Sequence, residues 1–275
     1  MPTIRVAAAA AHFGRNLDAC LTRIAGVLAD AAERDADLVV LPHAALGGYL
    51  GSLDGDGWPD LPPALEPGGL AVERLVALAG RRVVCAGYTE GDGDRRYNAA
   101  VCVSGDGVLG RHRKVHQPPG EAAFFDPGSC IHAFDTPVGR LGMLIDYDKT
   151  FPEAARTLAL DGAEVLAFLS AWPASVTNRS PRLVNDRQTR LFDLYDCARA
   201  AENQVVVVSA NQTGMLGHLR FLGRAKVVGP GGEILARTTA KAGLAVADVD
   251  LAAQLSRARR VLDHLASRRP AAYRM

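Results

Sequence analysis

Hydrophobic and polar positions along the chain form two kinds of pattern, helical spacing and unbroken apolar runs, and together they predict a succession of helices and strands. Apolar side chains recur at helical spacing from Leu17 to Ala31, which predicts an amphipathic helix. Short continuous apolar runs between turn residues are typical of strands that are buried on both faces. We predict strands at residues 4–10, 37–42, 82–89, 97–104, 108–112, 131–134, 140–145, 164–169, 204–210, 225–228, 233–236 and 243–249. Further helices are predicted at residues 70–79, 151–161 and 181–203, and after the last strand.

Glycine-rich turns join several of these predicted strands into hairpins, as at residues 104–107 and 229–232. Strands that alternate with helices and also form hairpins indicate an α/β fold with mixed sheets. Because no repeat, linker or low-complexity tract interrupts the pattern, we expect residues 1–275 to form a single domain. The stretch 51–69 is rich in Gly, Pro and Asp, and so long a loop is usually functional. Its Trp58 is a candidate lid residue that contacts substrate.

Composition and charge indicate which classes of molecule this protein binds. Of the 275 residues 48% are hydrophobic, and the net charge is +1, which favours a large core over a nucleic-acid or acidic-membrane surface. Basic residues cluster at 257–269 without interleaved aromatic side chains, which is typical of a solvated helix face. We therefore expect a small-molecule ligand and neither a nucleic-acid nor a membrane partner.

The five cysteines are scattered and form no paired motif, which suits a reducing compartment. The first residues lack the layout of a signal peptide, and the alanine-rich run after them is too short to span a bilayer. We expect a cytoplasmic protein. Cys20, Cys85, Cys102 and Cys197 lie in apolar or helical stretches and are predicted to be buried, whereas Cys130 is predicted to begin a strand.

Three segments, in order along the chain, resemble the nitrilase (carbon–nitrogen hydrolase) superfamily. Residues 38–49 (LVVLPHAALGGY) are similar to its strand that ends in Pro-Glu before a Gly-Tyr element. Residues 111–116 (RHRKVH) resemble its catalytic-lysine segment, and residues 142–153 (GMLIDYDKTFPE) resemble its nucleophile strand, turn and helix. Residues 198–211 and 228–235 extend the resemblance over nearly the whole chain. It implies a four-layer α-β-β-α sandwich and a homodimer or higher homo-oligomer formed through helices 151–161 and 181–203.

The resemblance also implies a catalytic site, and this chain departs from it. The family uses a glutamate base, a lysine and a cysteine nucleophile. Lys114 stands at the lysine position and Glu121 at that of a second carboxylate, but His43 replaces the glutamate and Asp146 replaces the cysteine. A carboxylate is a poor nucleophile toward an amide, whereas a thiolate is a strong one. We therefore predict a protein that is not a conventional thiol amidase or nitrilase.

One hypothesis is an enzyme with a rebuilt site that uses no cofactor. His43 is then the base, Asp146 orients it or acts as an acid or base, Lys114 stabilises negative charge, and Glu121 assists. The reaction is hydrolysis, hydration or elimination on a small polar carbon–nitrogen or carbonyl metabolite. Tyr147 and Trp172 are candidates for substrate contact, although each also fits a purely packed position.

Two alternatives remain open on the sequence. Asp146 and Lys114 form a structural ion pair in an inert homologue that binds a ligand or a partner. Or His43, Asp146 and Glu121, with His112 or His116, bind a divalent metal. The nearby ammonium opposes a cation, and the ligands lack a recognised spacing, so we predict no metal.

Overall fold

The computed structural model of the chain describes residues 3–54 and 61–273. Within these ranges the strands are β1 (Ile4–Ala11), β2 (Leu38–Val40), β3 (Val83–Asp92), β4 (Arg95–Ser104), β5 (Gly107–Arg113), β6 (Phe134–Thr136), β7 (Gly139–Ile145), β8 (Val165–Ser170), β9 (Val206–Gln212), β10 (Met215–Leu216), β11 (Leu219–Arg220), β12 (Lys226–Val228), β13 (Ile234–Arg237) and β14 (Gly243–Val249). The helices are α1 (Leu17–Ala32), α2 (Leu70–Ala79), α3 (Pro119–Ala122), α4 (Pro152–Leu160), α5 (Arg187–Asn203) and α6 (Leu251–Arg259).

One long sheet runs in the order β5-β4-β3-β2-β1-β9-β8-β7-β6, and it bends back on itself. Strands β1 to β3 are parallel, strands β7 to β9 are parallel, and a short pairing of β1 with β9 joins the two halves. The outer strands β4, β5, β6, β12 and β14 pair antiparallel with their neighbours. A single buried cluster contains side chains from both halves, so the halves pack face to face.

Strand β1 shows why its sequence is an unbroken run of small apolar residues. Val6, Ala8 and Ala10 belong to the core between the two halves of the sheet. Their neighbours Ala7 and Ala9 point the other way, into the core beneath helices α1 and α2. Because successive side chains of a strand alternate between faces, a strand buried on both faces must be apolar throughout.

The second half of the sheet repeats this arrangement. Val206 and Val208 of β9 face the shared core, whereas Val207 packs beneath helices α4 and α5. The layers therefore follow the order helix, sheet, sheet, helix, and the predicted four-layer sandwich is confirmed. No helix in the described ranges is both long and apolar enough to cross a membrane.

The structure corrects some predicted boundaries. The strand predicted at 131–134 is β6 at residues 134–136. The helix predicted from residue 181 begins at Arg187, because the Asp186 carboxylate accepts from the backbone N–H of Gln188 and caps it there. Cys130 lies exposed outside any strand, and Cys197 is only partly buried, whereas the other three cysteines are buried.

Candidate active site

A cavity of about 240 Å³ opens where both halves of the sheet present the carboxyl ends of parallel strands. Asp146 directly follows β7, and Ala171 and Trp172 follow β8. Lys114 directly follows β5, and Glu121 lies on the short helix α3. All five residues line the cavity, so segments far apart in sequence meet at one site.

Lys114 and Glu121 form a buried ion pair at the base of the cavity. The Lys114 Nζ lies 2.6 Å and 2.8 Å from the two carboxylate oxygens of Glu121, and both side chains are at most 1% exposed. The hydroxyl of Tyr49 and the side-chain amide of Asn98 also donate to this carboxylate. Glu121 is thus held by donors on three sides, as a buried charge requires.

Asp146 occupies a strained turn beside this pair. Its φ of 43° lies in the left-handed region, which a non-glycine residue adopts at a cost, and such strain is concentrated at functional sites. One carboxylate oxygen accepts from the Ala171 N–H at 2.6 Å. The other oxygen is buried without a hydrogen-bond partner among the described residues, 3.9 Å from Lys114 Nζ. Burial raises the pKa of the Asp146 carboxyl above its usual value, although Lys114 and the Ala171 N–H oppose this.

Asp148 fixes the strained turn against the segment that carries Lys114. Its buried carboxylate lies 2.9 Å from His112 Nε2 and 2.9 Å from His116 Nδ1, and it accepts from the backbone N–H groups of Val115 and His116. Burial alone would raise the pKa of Asp148, but the hydrogen bonds from His112 and His116 hold it far below its usual value. This network sets the distance between Lys114 and Asp146.

His43 lies behind the ion pair and does not line the cavity. Its Nε2 lies 3.1 Å from the Oδ1 of Asn98, whose amide group donates to Glu121. Its Nδ1 is buried without a partner among the described residues, and the ring is wholly buried beside Gly87. Burial and the Lys114 ammonium lower the pKa of His43 to about 4, so the imidazole is neutral at pH 7.

The wall opposite the ion pair is apolar and aromatic. Trp172 is held at its backbone by Asn211, whose side-chain oxygen accepts from the Trp172 N–H at 2.8 Å. The indole N–H donates at 3.0 Å to the side-chain oxygen of Gln188. Tyr147, 37% exposed, packs edge-on against Phe151 at the rim. The rest of this lining comes from Leu53, Pro118, Pro173, Ala174 and Val176.

Of the residues selected from the sequence, Lys114, Glu121, Asp146, Tyr147 and Trp172 therefore meet at one cavity. The expected direct pair of His43 with Asp146 is absent: no hydrogen bond joins them, because His43 is bonded to Asn98. Trp58 lies outside the described residues. Asn98 and Gln188 were missed: Asn98 is a polar residue inside an apolar strand run, a signal that singles it out, whereas Gln188 is ordinary for a helix.

The lining of this cavity includes none of the five cysteines, all of which belong to the described part of the chain. Across residues 3–54 and 61–273, no three His, Cys, Asp or Glu side chains are grouped so that they could hold a metal ion. The histidines of the metal alternative, His112 and His116, are engaged with Asp148. The polar side-chain groups of the lining are therefore two carboxylates, an ammonium, two phenols, a carboxamide and an indole N–H.

Comparison with known proteins agrees with this architecture. A family model described as carbon–nitrogen hydrolase matches residues 5–258. The chain is 32% identical over 253 residues to an (R)-stereoselective amidase from a Pseudomonas species, covering 90% of this chain and 85% of that protein. It is 36% identical over 170 residues to a nitrilase from Pyrococcus abyssi, covering 61% of this chain and 59% of the nitrilase.

Solved structures resemble the whole chain. A carbon–nitrogen hydrolase from Helicobacter pylori G27 superposes with a TM-score of 0.84 at 26% identity, covering 98% of this chain and 97% of that one. A variant of the amidase from Nesterenkonia sp. AN1, with glutamine in place of one glutamate, superposes with a TM-score of 0.79 at 27% identity, covering 98% of this chain and 95% of that one. That structure shows the acetamide moiety of fluoroacetamide added covalently to the amidase's active-site cysteine.

Proposed function

The chain belongs to the carbon–nitrogen hydrolase family, and we propose that it hydrolyses small polar amides without a thiol, with the Asp146 carboxylate as the general base. Lys114 stabilises the developing negative charge, and Glu121 holds Lys114 in place. A cavity of about 240 Å³ suits a small metabolite.

One observation supports this proposal above all. A carboxylate oxygen of Asp146 that accepts no hydrogen bond from any described residue faces the Lys114 ammonium, which has one N–H group left to donate. The Asp146 Oδ2 has no partner among the described residues, and it lies 3.9 Å from Lys114 Nζ, beyond hydrogen-bond distance. An ammonium has three N–H donors, and the two oxygens of Glu121 engage two of them. A buried carboxylate oxygen without a partner is costly, which favours a function for it.

The reaction that fits these groups is a water-mediated amide hydrolysis. Asp146 accepts a proton from a water molecule, whose oxygen forms a bond to the carbonyl carbon of the substrate. The carbonyl oxygen becomes an oxyanion and accepts from the free N–H of Lys114. The oxyanion then reforms the carbonyl, the carbon–nitrogen bond breaks, and Asp146 returns its proton to the leaving nitrogen. The products are a carboxylic acid and an amine or ammonia.

Asp146 is better suited to act as a general base than as a nucleophile. Attack by its carboxylate on an unactivated amide would form an acid anhydride and expel an amine, which is an unfavourable step. The pKa of Asp146 is raised by burial, and a carboxylate with a raised pKa is a stronger base.

His43 has a positioning role in this proposal. Its neutral imidazole supports Asn98, which in turn orients Glu121. A pKa of about 4 makes it a weak base at neutral pH, and its side chain does not line the cavity. These facts favour Asp146 over His43 as the group that removes the proton.

The test is a panel of small primary amides, with product acid measured for the wild type, Asp146→Asn and the exposed control Asp106→Asn. We expect turnover by the wild type and the control, and a loss of about 10²- to 10⁴-fold with Asp146→Asn. A single turnover in ¹⁸O-water should place the label in the product acid and leave Asp146 unlabelled. Label in the Asp146 carboxyl would instead indicate an acyl-aspartyl intermediate and overturn the general-base role.

The inert homologue remains the competing interpretation, because the Lys114–Glu121 pair is also a stable structural unit. It predicts ligand binding with no turnover of any amide by the wild type. Equal activity of the wild type and Asp146→Asn would also reject the proposed mechanism.

A further inference from the structure

Gln188 is a polar side chain of the cavity lining to which the proposed reaction gives no role beyond supporting Trp172. It is the second residue of helix α5, and its side chain lines the cavity. Its backbone N–H donates to the capping carboxylate of Asp186 at 2.9 Å, which fixes the position of the side chain at the cavity wall.

The orientation of the Gln188 amide follows from its partner. An indole N–H can only donate, so the group that faces it must be the side-chain oxygen of Gln188. The NH₂ group then points away from Trp172, and no hydrogen bond to any described residue engages it. The cavity wall therefore presents two N–H donors whose direction is set by the Trp172 contact.

We propose that the Gln188 amide selects the substrate by donating a hydrogen bond to a neutral acceptor, such as a ketone or amide carbonyl, at the end remote from the scissile bond. This inference rests on the proposed amidase function and names its substrate class.

The charges of the site argue for a neutral acceptor. Lys114 is the only cation that lines the cavity among the described residues, and Glu121 engages it. Asp146 adds a second carboxylate to the lining, so the site offers no surplus positive charge for a remote anion. Lys149 lies behind Trp172, but its ammonium is bonded to Asp196 at 2.7 Å and does not line the cavity.

The Tyr49 hydroxyl already donates to Glu121, and Tyr147 is partly exposed at the rim, so the remaining lining offers little else to hold the remote end. Leu53, Pro118, Pro173, Ala174 and Val176 have no side-chain polar groups. A substrate whose polar group is buried here without a partner would bind more weakly. An acceptor placed against Gln188 instead receives a hydrogen bond from its amide group. A remote cation is also disfavoured, since the Gln188 oxygen is occupied by Trp172.

Matched pairs of amides test this selection. In 4-oxopentanamide a remote ketone can accept, and in 4-methylpentanamide a group of the same shape cannot; 5-oxohexanamide and 5-methylhexanamide form a longer pair. We expect the wild type to favour the ketone of at least one pair by about tenfold or more in kcat/KM, the value of one well-placed hydrogen bond. Succinamate, with a remote carboxylate, should be a poorer substrate than that ketone.

The variant Gln188→Glu keeps an acceptor for the Trp172 indole and removes both N–H donors. It should bring the ketone preference, measured as the ratio of kcat/KM within each pair, to about one. Unchanged Trp172 fluorescence, measured with Trp58→Phe in both proteins to remove the second tryptophan, will show that the wall is intact. Gln254→Glu in α6 makes the same substitution away from the cavity. A wild type with no preference in either pair, or a variant that keeps it, would overturn the assignment.

Binding measurements test the role of Gln188 independently of the proposed reaction. Affinities of the same amide pairs are measured by calorimetry on wild type, Asp146→Asn and Gln188→Glu, where no turnover is needed. Preferential ketone binding that depends on Gln188, without turnover, rejects only the reaction. Turnover without a ketone preference rejects only the role of Gln188, and equal binding of both members of each pair rejects it as well.

Discussion

The Nε2 atom of His43 lies 3.1 Å from the Oδ1 atom of Asn98, and not against the carboxylate of Asp146. Because the Asn98 amide donates to Glu121, its oxygen faces the imidazole, so His43 carries its proton on Nε2. The imidazole therefore supports the Lys114–Glu121 pair from behind, and the free carboxylate oxygen of the cavity belongs to Asp146.

Replacing His43 should change how stability depends on pH. The folded-state pKa of about 4 lies below the value near 6.5 of an exposed histidine, so the unfolded chain binds more protons between these values. Wild-type stability should therefore fall as the pH drops from about 6.5 to 4, by about 3 kcal/mol from this group. In His43→Gln, whose amide can still donate to Asn98, this part of the slope should disappear.

Urea unfolding at several pH values measures this effect. His264→Gln alters an exposed imidazole and should follow the wild-type curve. If His43→Gln keeps the full wild-type slope, His43 is not held neutral in the folded state.

The variant Asp146→Asn should separate activity from stability. The folded-state pKa of Asp146 is raised, so ionising this carboxyl in the folded protein opposes folding as the pH rises above its usual pKa. We expect the variant to lose hydrolysis and yet melt at the same or a higher temperature at pH 7. Thermal unfolding of the variant and of Asp106→Asn measures this, and a clear fall in melting temperature for Asp146→Asn alone would contradict it.

Asp148→Asn should damage both the fold and the site. The carboxylate accepts from His112, His116 and three backbone N–H groups, so an amide leaves some of these buried donors unpaired. We expect a loss of about 3 kcal/mol in unfolding free energy. Since the pKa of Asp148 is lowered, its contribution is present above the usual carboxyl pKa and lost as the pH falls.

Denaturant titration at pH 7 and at acid pH checks this prediction. The difference between wild type and Asp148→Asn should narrow at acid pH, where the wild type begins to lose the same contribution. A difference that stays constant would mean that the charge of Asp148 does not matter. A lower kcat in the folded variant would indicate that Lys114 and Asp146 have moved apart.

Restoring the family's residues offers a test of the cavity itself. The double variant His43→Glu with Asp146→Cys places a carboxyl and a thiol at these two positions, while Lys114, Glu121 and the walls are unchanged. We expect it to gain thiol-dependent amidase activity and to gain the mass of one acetamide group on exposure to fluoroacetamide. Asp146→Cys alone is the matched control, and an unreactive thiol in both variants would contradict this prediction.

The sequence by itself determined the fold and indicated which segments of the chain carry most of the residues that line the cavity. Continuous apolar runs and helical spacing are local patterns, so strands and helices could be placed within a few residues, and the order of the three resembling segments indicated the four-layer sandwich. The same segments brought Lys114, Glu121 and Asp146 to one cavity. The start of α5 was misplaced because it depends on one cap at Asp186, which the apolar pattern does not record.

The tertiary structure decided which of these side chains face one another. His43 and Asp146 both follow strands, but a strand position does not specify the direction of a side chain when an acceptor on another strand competes for it. Asn98, 55 residues away on β4, provides the acceptor for His43, and that contact turns the imidazole away from the cavity. Such hydrogen bonds join segments that are distant in sequence and meet only in the folded chain, where burial makes every unpaired polar group costly.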